Sequence, residues 1–149
     1  MPRPTAVIFD VDGTLCDVST VRHHVRGPRR NFDAFHAASL ACPPNAEVAE
    51  AARRASRDGH AVLVVTGRAA RWARPTGFWL ALHDIPSDGL FTRDEHDQRS
   101  DVAVKTDILA LIRRRYDVVA AYDDNPSVIA LWKSYGIPVH TVAGWDEED

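Results

Sequence analysis

The stretch AVIFDVDGTL, residues 6–15, decides how the rest of this chain is interpreted. Its first four residues are all apolar, which predicts a short strand buried on both faces of a parallel sheet. Two carboxylates, Asp10 and Asp12, follow where this strand opens into a loop. Because the chain turns at a strand end, both side chains can be directed at one bound group. The plain alternative is an ordinary turn, since Asp and Gly are frequent turn formers.

Two neighbouring carboxylates near a cation can divide the work of moving a phosphoryl group. One of them can attack phosphorus as a nucleophile and form an aspartyl phosphate. The other can give a proton to the leaving group and take one from water. The pair Asp10 and Asp12 is therefore a candidate for phosphoryl chemistry.

Length and composition are typical of one soluble globular domain, residues 1–149, with 45% hydrophobic and 26% charged residues. The longest apolar runs fall far short of the about 20 residues of a membrane span, and no signal-peptide pattern precedes the first strand. We therefore expect a cytoplasmic protein with no membrane partner.

Cys16 and Cys42 are expected to act as small apolar residues, because two cysteines make neither a disulfide scaffold nor a zinc site. A net charge of −3 argues against an extended nucleic-acid-coating surface but permits a short phosphate-binding cleft.

Apolar runs and helical patterns alternate along the chain, which indicates an α/β fold with a doubly wound parallel sheet. The helix after residue 68 is predicted to break at Pro75, and Asn45 is predicted to cap the helix that it precedes. Residues 18–44 form an insertion with a basic cluster at 22–30, and residues 144–149 form an acidic tail. The predicted strands cover residues 6–9, 61–65, 90–92, 117–122 and 138–142, and the predicted helices cover residues 45–58, 101–116 and 127–135.

Polar side chains follow three of these strands at the point where each strand ends. In open parallel sheets, ligands bind outside the carboxyl ends of the strands, so residues that are distant in sequence can converge there. The residues expected at this edge are Asp10, Asp12, Thr66, Arg68, Asp123 and Asp124.

Together with Lys105 in a helix, this set resembles the haloacid dehalogenase (HAD) superfamily of phosphotransferases. The resemblance implies a HAD-like, Rossmannoid sheet with a small insertion after strand one and no large cap domain. It implies that Asp10 is the nucleophile, that Asp12 is the general acid and base, and that Thr66 and Lys105 bind and neutralise the phosphoryl group. It also implies a magnesium ion, Mg2+, held by Asp10, the backbone carbonyl of Asp12, Asp123 and Asp124.

Each of these positions has a simpler structural interpretation. Thr66 can merely end a strand, and Lys105 is placed to form a solvated i, i+4 pair with Asp101. Asp124 begins an Asp-Asn-Pro sequence that also serves as a turn and helix cap.

Finer features resemble the 3'-phosphatase domain of polynucleotide kinase-phosphatases. They are Thr66-Gly67-Arg68, the stretch from residue 90 to Lys105, Tyr122-Asp123-Asp124-Asn125 and residues 132–137. This resemblance implies a nucleic acid 3'-phosphate end as substrate, with Thr66, Gly67, Arg68 and Arg93 at the phosphate. Arg68, and Arg93 or Arg99, would grip the phosphate or order the acidic loop, while simple surface ion pairs are the alternative for Arg93 and Arg99.

The chain contains no Gly-x-x-x-x-Gly-Lys-Ser/Thr loop, so we expect it not to phosphorylate 5' ends by itself. A separate kinase or ligase is the expected partner. The basic cluster at residues 22–30 is either an electrostatic guide for a polynucleotide or a solvated loop. Two other functions stay open: a small-molecule phosphatase for nucleotides or sugar phosphates, and a non-enzymatic assembly subunit.

Overall fold

The computed structural model describes residues 2–143, in which five parallel strands form one sheet. The strands are β1 (Thr5–Phe9), β2 (Ala61–Ala69), β3 (Gly89–Arg93), β4 (Asp117–Asp123) and β5 (Val139–Thr141). Their order is β3-β2-β1-β4-β5, so the chain builds outward from β1 in one direction and then in the other. The reversal leaves a crevice at the carboxyl ends of β1 and β4, where ligands bind in such sheets. The predicted doubly wound parallel sheet is confirmed.

Five α-helices cover the two faces of this sheet. They are α1 (Phe32–Ser39), α2 (Ala46–Arg57), α3 (Ala73–Leu82), α4 (Asp101–Ile112) and α5 (Pro126–Ser134). Alternate residues of β1 face opposite sides: Val7 and Phe9 pack under α1, α2 and α3, whereas Ala6 and Ile8 pack under α4 and α5. This two-sided burial explains why the strand is apolar throughout.

The insertion between β1 and α2 contains a 3-10 turn at Arg22–Val25 and the eight-residue helix α1. The side chain of Phe35 anchors α1 to the core, and the indole Nε1 of Trp79 donates a hydrogen bond to the carbonyl of Cys42 at 2.9 Å. This short segment takes the place of a large cap domain. Cys16 and Cys42 are both buried and unpaired, as expected for small apolar residues.

Three local features differ from the predictions. Pro75 does not break its helix, because it lies in the first turn of α3, where the N–H that proline lacks would have no partner within the helix. Asn45 occupies the cap position of α2, but its side chain makes no capping hydrogen bond. Strand β2 continues to Ala69 instead of ending at Val65, with an irregular register to β3 over its last residues.

Helix α4 ends at Ile112, earlier than predicted, and the other element boundaries differ from prediction by only one or two residues. The predicted acidic tail, residues 144–149, lies outside the described residues. Within residues 2–143, no helix has the length and apolar character that crossing a bilayer requires.

Two leucines of α4 provide a matched test of this packing. Leu109 is 1% exposed in the core, whereas Leu111 is 53% exposed on the outer side of the same helix. We expect Leu109→Ala to lower the free energy of unfolding by about 2–5 kcal/mol because it leaves a cavity, and Leu111→Ala to change it by no more than about 0.5 kcal/mol. Urea denaturation followed by circular dichroism measures both. Equal losses in the two variants would contradict the described orientation of α4.

Candidate active site

Asp10 lies directly beyond β1, and the chain then folds back in a tight turn. The backbone N–H of Asp10 still pairs with the carbonyl of Tyr122 on β4, at 3.1 Å. Gly13 has a φ of 81°, a left-handed conformation that favours glycine. The turn brings the hydroxyl of Thr14 within 3.2 Å of Asp10 Oδ2 and 3.0 Å of Asp124 Oδ1. The residues after Asp10 therefore form a compact loop around the carboxylate.

Lys105 projects from the first half of α4 into the buried space between β1 and β4. Its Nζ donates to Asp10 Oδ1 at 2.9 Å and to Asp123 Oδ2 at 3.2 Å. Burial alone would lower the pKa of Lys105, but the charges of Asp10 and Asp123 outweigh it and raise that pKa. The lysine is therefore a fixed cation. Its alternative interpretation as a surface pair with Asp101 is wrong, since Asp101 pairs with Arg93 at 2.6 Å instead.

The carboxylates of Asp10, Asp123 and Asp124 form a buried acidic cluster, with one oxygen of each within 4.8 Å of the others. Burial raises the pKa of Asp10 well above its ordinary value, and the charges of Asp123 and Asp124 add to this against the opposing effect of Lys105. Burial, together with the charge of Asp123, raises the pKa of Asp124 to about 6. Three acids facing one ammonium group leave an excess of negative charge in this cluster.

Asp123 and Asp124 differ in how completely their oxygens are paired. Asp123 Oδ1 accepts from the N–H groups of Asp124 and Asn125 at 2.9 and 3.1 Å, and its Oδ2 accepts from Lys105 and, at 3.4 Å, from Trp132 Nε1. Asp124 Oδ2, by contrast, is buried without a hydrogen-bond partner among the described residues. A hard divalent cation prefers such oxygen ligands, so the cluster fits a magnesium ion.

Asp12 points away from this cluster and pairs with Arg68. The guanidinium donates to both oxygens of Asp12, from Nε at 3.0 Å and from Nη2 at 2.6 Å. It also donates to the hydroxyls of Ser39 and Thr76, at 2.7 and 2.8 Å. Arg68 is only 1% exposed, so it lies beneath Asp12. Two roles were predicted for Arg68, binding of the phosphate and ordering of the acidic loop, and these contacts favour the second.

Thr66 and Gly67 lie in the second half of β2, beside the cleft. Thr66 is buried, and its hydroxyl accepts a hydrogen bond from the N–H of Arg68 at 3.2 Å. Gly67 lines the cleft, and a Cβ at this position would lie 2.6 Å from Asp101 Oδ1. The missing side chain therefore lets the first residue of α4 approach β2 closely.

Arg93 orders the loop between β3 and α4. Its Nε donates to the carbonyl of Gly67 at 2.9 Å, and its Nη1 donates to the carbonyls of Asp97, at 3.1 Å, and Arg99. Arg99 in turn pairs with Asp97 and Asp107 at 2.8 and 2.7 Å. Arg93 and Arg99 both line the cleft, and the more exposed Arg99 side chain pairs within the loop and with α4.

These groups meet in an open cleft of about 760 Å³. One wall is formed by α1 and the residues before it, including Arg30 of the predicted basic cluster, and the other wall is the loop at residues 93–101. The Arg71 guanidinium bridges these walls, because it pairs with both Asp33 of α1 and Glu95 of the loop. Of the predicted residues, those whose side chains or backbone line the cleft are Asp10, Asp12, Gly67, Arg93, Arg99, Lys105 and Asp124.

Several residues that support the site were not predicted from the sequence. Ser39, Thr76 and Asp101 hold Arg68 and Arg93, and His36 lies beside Asp12, with its Nε2 3.9 Å from Asp12 Oδ2. Ser39, Thr76 and His36 belong to helices α1 and α3, and no local pattern marks them. The only available signal was the positions of Arg68 and Arg93, which require acceptors nearby.

Comparisons with known proteins agree with this geometry. The family model described as polynucleotide kinase PNKP phosphatase domain matches residues 4–146. The "Putative bifunctional polynucleotide kinase/RNA ligase" of Autographa californica nuclear polyhedrosis virus is 28% identical over 138 residues, which cover 91% of this chain and 19% of the viral protein.

Two solved structures are similar to this chain to different degrees. A chain in the structure of the Pnkp1/Rnl/Hen1 RNA repair complex is 30% identical with a TM-score of 0.79, over 94% of this chain and 42% of that one. The class C acid phosphatase from Bacillus anthracis with tungstate bound has a TM-score of 0.71 at 12% identity, over 97% of this chain and 69% of its own, a likeness of fold alone.

This chain spans less than half the length of the viral relative and of the repair-complex chain. The family match, in contrast, extends over nearly all of it. The resemblance inferred from the sequence motifs is confirmed: the chain belongs to the HAD-type family of polynucleotide kinase PNKP phosphatase domains, and it is a phosphatase.

Proposed function

We propose that residues 1–149 act as one magnesium-dependent phosphatase domain that removes the 3'-phosphate from nucleic acid ends through an aspartyl-phosphate intermediate. The observation that carries this proposal is the placement of two acids in one cleft with different partners. Asp10 is held by Lys105, while Asp12 is held by Arg68. This separation suits one acid for attack on phosphorus and the other for proton transfer.

In the first step, an oxygen of Asp10 attacks phosphorus while the bond from phosphorus to the leaving 3'-oxygen breaks. Asp12, protonated for this step, gives its proton to that oxygen, so the sugar leaves as a neutral hydroxyl. In the second step, a water molecule attacks the phosphorus of the aspartyl phosphate and returns its proton to Asp12. Asp10 is then regenerated and inorganic phosphate leaves.

Lys105 fits the role of a cation beside the transferred group. Its Nζ lies 2.9 Å from the attacking carboxylate, so its charge orients Asp10 and favours the ionised form of that carboxylate against the burial that opposes ionisation. Phosphoryl transfer depends mainly on positioning and charge stabilisation, which a fixed ammonium group provides. In this proposal the phosphoryl oxygens lie against Thr66, Gly67 and Arg93 at the end of β2 and β3.

The acidic cluster would hold magnesium through Asp10 and Asp124, with the backbone carbonyl of Asp12 and with Asp123 behind them. The unpaired Oδ2 of Asp124 favours this residue as the direct ligand, whereas the oxygens of Asp123 already accept hydrogen bonds. When bound, magnesium supplies positive charge to the phosphoryl oxygens and to the attacking carboxylate.

The shape of the cleft and the relatives support a nucleic acid end as substrate. The insertion after β1 is short, so the cleft is open to a polymer end. Arg30, Arg71 and Arg93 line it and attract phosphates. The viral relative is named as a kinase and RNA ligase, and the structural relative belongs to an RNA repair complex. We therefore infer a role in nucleic acid end repair beside a separate kinase or ligase.

Replacement of the nucleophile gives the first test of the mechanism. We expect Asp10→Asn to lower the turnover of a 3'-phosphorylated oligonucleotide by at least about 1,000-fold, because the amide cannot form the covalent intermediate. The matched control Asp58→Asn, at an exposed position after α2, should keep wild-type turnover. Borohydride reduction of the wild-type enzyme during turnover should convert Asp10 to homoserine. Unchanged turnover of Asp10→Asn would contradict the assignment.

Binding of magnesium can be measured without turnover. We expect magnesium to raise the thermal midpoint of the wild-type protein, with about 2.7 kcal/mol of added stability at a hundredfold excess over the dissociation constant. Asp124→Asn should show a smaller rise, because it removes a charged ligand, and Asp58→Asn should show the full rise. An equal rise in all three proteins would place the ion elsewhere.

A substrate panel tests which phosphate is removed. Oligonucleotides of one sequence with a 3'-phosphate, the same sequence with a 5'-phosphate, and the matching mononucleotides are compared with and without magnesium by phosphate release. We expect the 3'-phosphorylated oligonucleotide to be preferred, and only with magnesium present. A preference for the mononucleotides would support a small-molecule phosphatase instead, and no turnover of any phosphate ester would support an assembly subunit.

A further inference from the structure

The wall of the cleft formed by α1 carries two aromatic side chains that the proposed mechanism does not use. Phe32 and His36 both line the cleft. They are four residues apart and therefore lie on the same side of the helix, with their ring centroids 6.3 Å apart. The two rings form a row that leads from the mouth of the cleft toward Asp12.

His36 is the inner member of this row. Its Nε2 lies 3.9 Å from Asp12 Oδ2, which is too long for a direct hydrogen bond. The ring packs beside Phe35 and edge-on to Trp72, with centroid distances of 5.5 and 6.0 Å. These contacts fix the ring, and its Nε2 faces the same part of the cleft as the carboxylate that would protonate the leaving group.

The position of His36 Nε2 suits a contact with the 2'-hydroxyl of a ribonucleoside 3'-phosphate. If the 3'-oxygen is hydrogen-bonded to Asp12, the 2'-hydroxyl is on the neighbouring carbon of the sugar. A group placed 3.9 Å from Asp12 is then within hydrogen-bond reach of that hydroxyl. A hydroxyl both donates and accepts, so it can pair with either tautomer of a neutral histidine.

Phe32 is the outer member of the row, and 57% of it is exposed. It lies at the start of α1, one helical turn before His36, and lines the same cleft. Aromatic side chains bind unpaired bases of any sequence by stacking. The helix that carries Phe32 is held in place, because Asn31 caps it through the N–H of Ala34 at 3.0 Å and Asp33 pairs with Arg71.

We propose that Phe32 and His36 bind the terminal ribonucleoside, with Phe32 stacked on its base and His36 hydrogen-bonded to its 2'-hydroxyl, so that the enzyme prefers RNA 3' ends. This inference rests on the proposed 3'-phosphatase function and deepens it. His36 acts here as a specificity residue for the sugar, and Phe32 as a platform for the base.

The role of His36 is tested with two 3'-phosphorylated oligonucleotides that differ only in the terminal sugar, ribose or 2'-deoxyribose. We expect the wild-type enzyme to favour the ribose end in kcat/KM, and His36→Ala to lower the ribose-to-deoxyribose ratio about fivefold, the size of one lost hydrogen bond. His36→Gln should restore part of the ratio, because its amide can still bond a hydroxyl. His140→Ala, at an exposed histidine of β5 outside the cleft, should keep the wild-type ratio.

The role of Phe32 is tested with RNA ends that carry or lack the terminal base. We expect Phe32→Ala to lower the advantage of the base-bearing end over the abasic end about tenfold, which corresponds to one lost stacking contact. Phe78→Ala is the matched control, since Phe78 is 77% exposed on α3 and does not line the cleft. Both tests compare two substrates on one variant, so a general loss of folded enzyme cancels.

An unchanged sugar ratio in His36→Ala, or an unchanged base advantage in Phe32→Ala, would overturn the corresponding part of this inference and leave the 3'-phosphatase function standing. If the wild-type enzyme hydrolyses p-nitrophenyl phosphate but no nucleoside 3'-phosphate, both the inference and the proposed function fail. The two failures are therefore distinguishable.

Discussion

The burial of three carboxylates at the ends of β1 and β4 is the constraint on which the rest of this structure depends. Asp10, Asp123 and Asp124 lie close together and away from water, where their charges oppose one another. Lys105 offsets only part of that charge. The parallel sheet makes this arrangement possible, because its reversal beside β1 brings distant strand ends together. A stable parallel sheet therefore holds a locally unfavourable group of acids, which a divalent cation would relieve.

The second feature is the separation of the two acids of the Asp-x-Asp motif. They are one residue apart, yet Asp10 belongs to the buried cluster and Asp12 to an ion pair with Arg68. Arg68 contacts both α1 and α3 through Ser39 and Thr76. The position of Asp12 is thus coupled to the short insertion. The same insertion supplies α1, which forms one wall of the cleft and carries Phe32 and His36. These different surroundings suit two identical side chains to the two different parts proposed for them in one reaction.

Much of the fold could be predicted from the sequence, because continuous apolar runs and turn residues mark parallel strands directly. The convergence of Asp10, Asp123 and Asp124 followed from the same reasoning, since strand ends share one edge of the sheet, whereas Lys105 in α4 was assigned to the site only by the family resemblance. The partners of Arg68 could not be predicted, because Ser39 and Thr76 lie in helices whose orientation depends on tertiary packing. Pro75 was misread for a similar reason: its effect depends on where the helix begins, and that boundary has no strong local signal.

The bridge from Arg71 to Asp33 and Glu95 joins the two walls of the cleft at an exposed position. Exposed ion pairs weaken as dissolved ions screen them. Ionic strength would therefore act on the proposed reaction in two ways: it would weaken the attraction between the cleft arginines and a polyanionic substrate, and it would loosen the contact between the two walls of the cleft. Activity would then fall more steeply with salt than the number of contacted phosphates predicts. The additional loss would come from the weakened Arg71 bridge within the protein, not from the weakened binding of substrate.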